Sequence, residues 1–206
     1  MGGKPKKEIL MSNQTVFFRP LPPNLDEAVV IASEGFAQPM SKNLEIDVAN
    51  HLAECPTAFT IINADGQAIG FVLFKKFDEI LYISGIILRR KCQGQGLGLE
   101  AIRSAKLMAH AEWFALRTQS LRMWRAGQKL AREWYPSPFF DHNPEIRQRA
   151  EFLAHRLGMA GVIVPGFYGS PLYGVKPIHR DCQLQTWWDN LCSFERGDAV
   201  LCLGRF

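Results

Sequence analysis

The amino-acid sequence predicts an α/β fold, a mixed central sheet flanked by helices, on three observations. Over residues 81–102 an apolar, Ile-rich run passes through a basic turn into three alternate glycines that open a helix. Around that stretch, segments follow the order strand, two helices, three strands, helix, strand, helix. Of the 206 residues, 47% are hydrophobic and 21% charged, the balance of a globular chain with a sizeable core.

Residues 1–12 read as a flexible basic tail carrying Lys4, Lys6 and Lys7, and residues 13–206 as one domain. The first strand, 15–19, is ended by the turn residues of RPLPPN. Asn24 or Asp26 can cap a helix over 25–36, and a second helix over 42–54 presents Leu44, Ile46, Val48 and Leu52 as apolar positions. Strands over 58–63 and 68–77 flank Asp65-Gly66, a favoured hairpin turn. A turn at 77–79 leads into a strand at 82–88. Leu97, Ala101, Ile102, Ala105 and Met108 then recur at helical spacing. Residues 113–117 read as a strand and 121–134 as a helix. The stretch 135–160 is predicted as a helical insertion: residues 135–144 hold three prolines, and Asn143-Pro144-Glu145 makes a good start for an arginine-rich helix ending at Gly158. The aromatic, glycine- and proline-rich loop 161–177 suits the wall of a binding site, and 198–206 alternates like a terminal strand.

A formal charge of +4 permits an acidic ligand without demanding nucleic acid. No tract is apolar for long enough to span a membrane, and MGGKPKKEIL lacks a signal-peptide core, so a cytoplasmic protein is expected. Met1-Gly2 fails the myristoylation pattern because Lys6 stands where Ser or Thr is needed. The five cysteines are spread without a CxxC pair, against a disulfide scaffold or zinc ribbon, and no histidine pair has metal-ligand spacing, with His142 and His179 in proline-rich surroundings. Cys92 sits near a helix N-terminus among cations, a setting that can acidify a thiol, but a permissive turn position explains it as well.

The segment Arg89-Arg90-Lys91-Cys92-Gln93-Gly94-Gln95-Gly96-Leu97-Gly98 carries the functional signal. A strand, a turn and a helix N-terminus leave backbone N–H groups converging where the helix dipole favours an anion. Glycines admit positive φ and close approach, and the three cations add long-range attraction. A Walker A loop would continue into Gly-Lys and Ser or Thr, and a Rossmann fingerprint would place a third glycine at Leu99; neither is present.

The run from Gln93 to Gly98 resembles the acyl-CoA-binding motif of the GNAT superfamily of N-acyltransferases, an Arg or Gln followed by Gly-x-Gly-x-Gly or Ala. The upstream Val-x-Pro of that family is represented only by Leu88, Arg89 and Arg90, without its proline. The resemblance implies a GNAT-like sheet with two central strands splayed apart and acetyl-CoA as co-substrate. It also implies that the amides of Gln93, Gly94, Gln95, Gly96, Leu97 and Gly98 hold the CoA pyrophosphate, while Ile86, Ile87 and Leu88 offer main-chain hydrogen bonds to pantetheine. Ser120 stands where many relatives carry an Asn that bonds pantetheine. By the same resemblance Glu79 is the candidate base. No tyrosine stands where the family's acid is expected, so Tyr135 is the substitute, with Tyr168 and Tyr173 behind it.

The implied reaction moves an acetyl group from acetyl-CoA to a primary amine by direct attack, with no metal. Two alternatives stay open: a GNAT-like module that binds without catalysis, and an acyltransferase for an amine on tRNA or other nucleic acid. The second rests on Arg122, Arg125, Lys129 and Arg132, spaced to line one helix face, which read first as a solvated face. The insertion and aromatic C-terminal region leave room for a homodimer contact.

Overall fold

The computed structural model describes residues 7–11, 14–55, 57–139 and 143–206. The chain forms two units, residues 1–75 with 83–105, and residues 76–82 with 106–206. A single domain was the expectation from sequence. His142, Lys4 and Lys6 lie outside the described residues.

In the first unit β1 (Lys7–Met11) pairs antiparallel with β2 (Gln14–Arg19), so residues 7–11 of the expected tail form a strand. β2 pairs with β3 (Thr57–Asn63), and β3 with β4 (Ala68–Phe77) through a hairpin whose Gly66 takes φ +79°. That conformation is the reason Asp-Gly stands there. β5 (Ile80–Leu88) adds its residues from Ile83 onward beside β4.

Helix α1 (Leu25–Phe36) begins where Asn24 Oδ1 accepts from Glu27 N at 2.8 Å, and α2 (Lys42–Glu54) where Ser41 Oγ accepts from Leu44 N at 3.2 Å. Each cap satisfies a donor the helix cannot satisfy itself. Ala28, Ile31 and Ala32 of α1 and Val48 of α2 bury against Ala58, Phe71 and Leu73 of the sheet. Two glycines let the end of β5 come close: a Cβ at Gly35 would lie 2.9 Å from Leu88 O, and one at Gly70 2.7 Å from Ile87 O. α3 (Leu97–Ala109) follows, burying Leu97, Ala101 and Ile102.

The second unit is built on β9 (Ala199–Arg205). It pairs antiparallel with β6 (Trp113–Thr118), with β7 (Glu133–Tyr135) and with β8 (Ile163–Val164). Ala199 to Gly204 are all buried, so the terminal strand does not alternate; it is covered on both faces. Helix α5 (Pro144–Arg156) starts at Asn143, whose Oδ1 accepts from Glu145 N, and packs Ile146, Ala150 and Leu153 against Trp113, Leu201 and Leu203. The predicted insertion thus supplies part of this unit's core. α6 (Cys182–Leu191), capped by Asp181, was not anticipated from sequence.

The expected helix over 121–134 is two elements. α4 (Leu121–Gln128) stops, and β7 pairs Trp134 with Gly204. The cause is tertiary: Trp134 lies over two glycines, its ring carbons 2.3 Å from a Cβ built on Gly127 and 2.5 Å from one built on Gly204, and stacks on Phe114 at 5.2 Å. Pairing and burial outweigh the helical spacing of the basic residues. Among the described residues, no helix is long and apolar enough to cross a membrane.

Gly204→Val should therefore destabilise the second unit by about 1–3 kcal/mol, since its side chain must displace a buried indole. Urea unfolding would read the loss, and Trp134→Leu in the same chain should recover part of it.

Candidate functional site

The glycine loop lies wholly in the first unit. After β5, a single 3₁₀ turn, Arg90–Cys92, precedes two left-handed glycines, Gly94 at φ +76° and Gly96 at φ +82°. A Cβ on Gly94 would meet nothing within 4 Å, so its surface faces open space. The N–H groups of Leu99 and Glu100 both donate to Gly96 O, at 3.0 and 3.2 Å. Those of Gly96, Leu97 and Gly98 meet no acceptor among the described residues. Open donors at the N-terminus of a helix of thirteen residues lie where the helix dipole favours an anion.

Gln93 acts differently from the expectation. Its N–H donates to Arg90 O at 3.3 Å, and its side-chain Nε2 donates to Gly35 O at 3.0 Å and Leu88 O at 3.1 Å. It braces the loop against α1 and β5, and its amide is already engaged. Gln95 Nε2 likewise donates to Lys91 O at 2.9 Å. Leu88 O is taken up by Gln93, whereas Ile86 runs beside the start of α3, with its Cγ2 3.7 Å from a Cβ built on Gly98.

The three cations of the turn are not equivalent. Arg89 is anchored, its Nε donating to Ala68 O at 2.9 Å and its guanidinium pairing with Glu34. Arg90 and Lys91 are the solvent-facing pair. Cys92 is buried, and burial pushes its thiol up despite the opposing pull of Lys91 and Arg89. A raised thiol pKa disfavours the nucleophilic thiolate.

The remaining candidates lie in the second unit. Glu79, in the turn before β5, forms an ion pair with Arg149, which also holds Glu145 at 2.9 Å. Its main-chain oxygen accepts from Glu112 N and Trp113 N, each at 3.2 Å. Tyr135 is in β7 rather than at a helix end, and burial pushes its hydroxyl up. Ser120 stands at the N-cap position of α4 without a side-chain cap bond, is buried, and donates its N–H to Thr118 Oγ1 at 2.9 Å.

Tyr173 hydrogen-bonds with both Thr118 and Ser120, and burial drives its hydroxyl pKa upward. Sequence spacing could not reveal this contact, because 53 residues of chain separate Ser120 from Tyr173. The loop bearing Tyr173 is fastened elsewhere: Leu172 N donates to Gln119 Oε1 at 2.9 Å, and the Arg117 guanidinium lies 4.1 Å from the centre of the Phe167 ring. Asp198, with a fully buried side chain, secures the same loop. It accepts from Gly166 N at 2.9 Å, Ser193 N at 2.8 Å and, bidentately, Arg196 at 2.7 Å.

The basic stripe dissolves. Arg122 donates to Ile178 O, Arg125 to Gln128, and Lys129 and Arg132 lie beyond the last residue of α4. Among the described residues, no group of three or more His, Cys, Asp or Glu is placed to hold a metal ion.

A strand, a glycine turn with open amides and a helix stand beside a mixed α/β sheet. Residues 27–135, more than half of the chain, match the family model of the Acetyltransferase (GNAT) family, and the protein belongs to that family. No curated protein matches the sequence. Among solved structures, the ribosomal-protein-S18-alanine N-acetyltransferase of Escherichia coli is 13% identical, with 92% of this chain and 93% of that one covered at a TM-score of 0.56. A GNAT family acetyltransferase from Elizabethkingia anophelis, determined with acetyl-CoA bound, is 16% identical over 95% of this chain and 99% of its own at 0.51. An acetyltransferase-like structure from Pyrococcus horikoshii, 12% identical, matches 58% of this chain but 44% of its own length at 0.47. For the Escherichia coli and Elizabethkingia anophelis proteins, at these identities, the likeness is one of fold.

The Arg196 pair, aided by the amides of Gly166 and Ser193, holds the Asp198 carboxyl down at about 2, against an ordinary 3.8. A depressed carboxyl contributes stability that is present above the ordinary value and lost as the folded value is approached. Acid unfolding of the second unit should therefore steepen between about pH 4 and pH 2. Asp198→Ala should cost about 2–4 kcal/mol by orphaning two amides, and should flatten that acid limb in circular-dichroism titrations.

Proposed function

We propose that the protein is an acetyl-CoA-dependent N-acetyltransferase that acts on a primary amine. The observation that carries the reading is the trio of unengaged amides at Gly96, Leu97 and Gly98, opened by two left-handed glycines. A pyrophosphate supplies the acceptor oxygens those donors lack, and the clear space at Gly94 lets it approach the main chain. Arg90 and Lys91 add charge at the mouth of the turn. Ile86 and Ile87 are the β5 positions left to bond a pantetheine arm, since Gln93 occupies Leu88 O.

In the transfer, the amine nitrogen forms a bond to the thioester carbonyl carbon and gives up a proton to water, the carbon–sulfur bond breaks, and the departing thiolate takes a proton. Acetyl-CoA supplies the activated acyl group; the protein supplies orientation and protons. For the proton donor we favour Tyr173 over Tyr135. Tyr173 bonds with Thr118 and Ser120 at the turn from β6 to α4, and its raised pKa keeps it protonated at neutral pH. Ser120 then acts as the positioning partner of Tyr173. Glu79 serves the ion pair with Arg149, and a deprotonated amine can attack without it.

The ion-paired Glu79 and the absence of a tyrosine in α4 also suit a second reading, a domain that binds acetyl-CoA without turning it over.

Gly96→Glu should abolish acetyl-CoA binding in calorimetric titration while leaving the circular-dichroism spectrum unchanged; a folded variant with native affinity would refute the cradle. Tyr173→Phe should lower kcat about 10- to 100-fold with KM for acetyl-CoA within twofold, whereas Tyr135→Phe should change neither. Binding without hydrolysis or transfer across an amine panel would establish the second reading.

A further inference from the structure

We infer that Gln119 is the positioning residue for Tyr173, and that the consecutive residues Thr118, Gln119 and Ser120 hold that tyrosine at both its ends. The inference rests on the reading of Tyr173 as proton donor and goes beyond it by naming what fixes the donor in place.

Thr118 and Ser120 hydrogen-bond with the Tyr173 side chain. Between them, Gln119 takes hold of the main chain one residue before the tyrosine: its Oε1 accepts from Leu172 N at 2.9 Å. The other half of the same amide turns elsewhere, with Nε2 donating to Phe194 O at 3.0 Å. One partner is an N–H and the other a C=O, and a side-chain amide answers both at once. The main-chain oxygen of Gln119 also accepts from Trp188 Nε1 at 3.3 Å. One residue thus ties the end of β6 to α6, to the connection that follows α6 and to the aromatic loop, across 53 residues to Leu172 and 75 to Phe194.

The two ends of the aromatic loop are fastened to one turn. Its start is held directly, as Gly166 N donates to Asp198 Oδ1 at 2.9 Å and Tyr168 N to Gly197 O at 2.8 Å. Gly197 N closes that turn on Phe194 O at 3.0 Å, and Phe194 O also receives Gln119 Nε2. Gln119 carries the hold of the turn onward to Leu172. At 2% exposure, its two bonds have no solvent to replace them when they are lost.

Positioning matters here because of what the donor must do. To protonate a leaving thiolate, the Tyr173 hydroxyl gives up its own donor bond, and at that moment the main-chain clasp is what keeps the ring in place. Proton transfer needs hydrogen-bond reach, and a displacement of about 1 Å can cost about 100-fold in rate.

The test uses the full chain with acetyl-CoA and hydroxylamine, read as release of free thiol, since protonation of the leaving thiolate is common to any attacking nucleophile. Gln119→Met keeps the length of the side chain and removes both amide bonds. It should lower kcat at least about fivefold with KM for acetyl-CoA within about twofold. In a Tyr173→Phe chain the same substitution should change kcat by less than about twofold, because a residue that acts through Tyr173 has nothing left to position. Hydrogen exchange of the unaltered protein gives a second readout that needs no turnover: the Leu172 amide should be protected at least about tenfold more than that of exposed Gly174. Equal fractional losses in the two backgrounds, native kcat in Gln119→Met, or an unprotected Leu172 amide would each overturn the assignment and leave Tyr173 as donor. Native kcat in Tyr173→Phe, or no thiol release above background, with Leu172 protected, would overturn it through the donor reading instead.

Discussion

A helix cannot satisfy its own first N–H groups, and in this protein the entry to α3 leaves those of Gly96, Leu97 and Gly98 without an acceptor among the described residues. The local chemistry of the first unit follows from that constraint. The amides point usefully only if the chain arrives at the helix without a side chain in the way and at an angle ordinary residues resist. Gly94 and Gly96 meet both demands. The approach is fixed from behind: Gln93 bridges α1 and β5, and Gly35 and Gly70 permit the end of β5 to press against α1 and β4. The glycines and glutamine of this region thus divide the labour. Some shape the cradle, and others hold its base rigid.

The second unit solves a different problem. Its last strand is buried on both faces, and its covering helix comes from the segment the sequence suggested was an insertion. Asp198 and Gln119 are buried polar groups with defined partners on the aromatic loop. Each would be costly to bury without them. They make the position of Tyr173 a property of the core rather than of a free loop.

Local signals made much of this legible. The bounds of α1, α2 and β4 agree with caps, turn residues and periodicity, because in those places short-range preference and burial agree. The glycine loop was readable for the same reason, since its demands are met within a dozen consecutive residues. Sequence reading failed where a distant partner decided. The helical spacing of Arg122, Arg125, Lys129 and Arg132 was real, but Trp134 is drawn into a strand by two glycines, one of them 70 residues away. β1 was missed because a run of lysines suggested a tail, and α6 because its segment drew no attention beside the terminal strand. Gln93 matched a motif correctly while its side chain and amide bond within the protein, a distinction invisible to spacing. The contact between Ser120 and Tyr173 exists only after the second unit has folded.

The distribution of the indoles has an optical consequence. Trp113, Trp124, Trp134, Trp187 and Trp188 all belong to the second unit, and the first has none. Trp134 and Trp113 are buried, and Trp124 sits within 6.3 Å of both Trp187 and Trp188, close enough for excitation to migrate among them. Intrinsic emission therefore follows the melting of one half of the chain, and the half that carries the glycine turn is dark. A single Phe-to-Trp replacement in β3 or β4 would give that silent half a colour of its own and let the two transitions be timed separately.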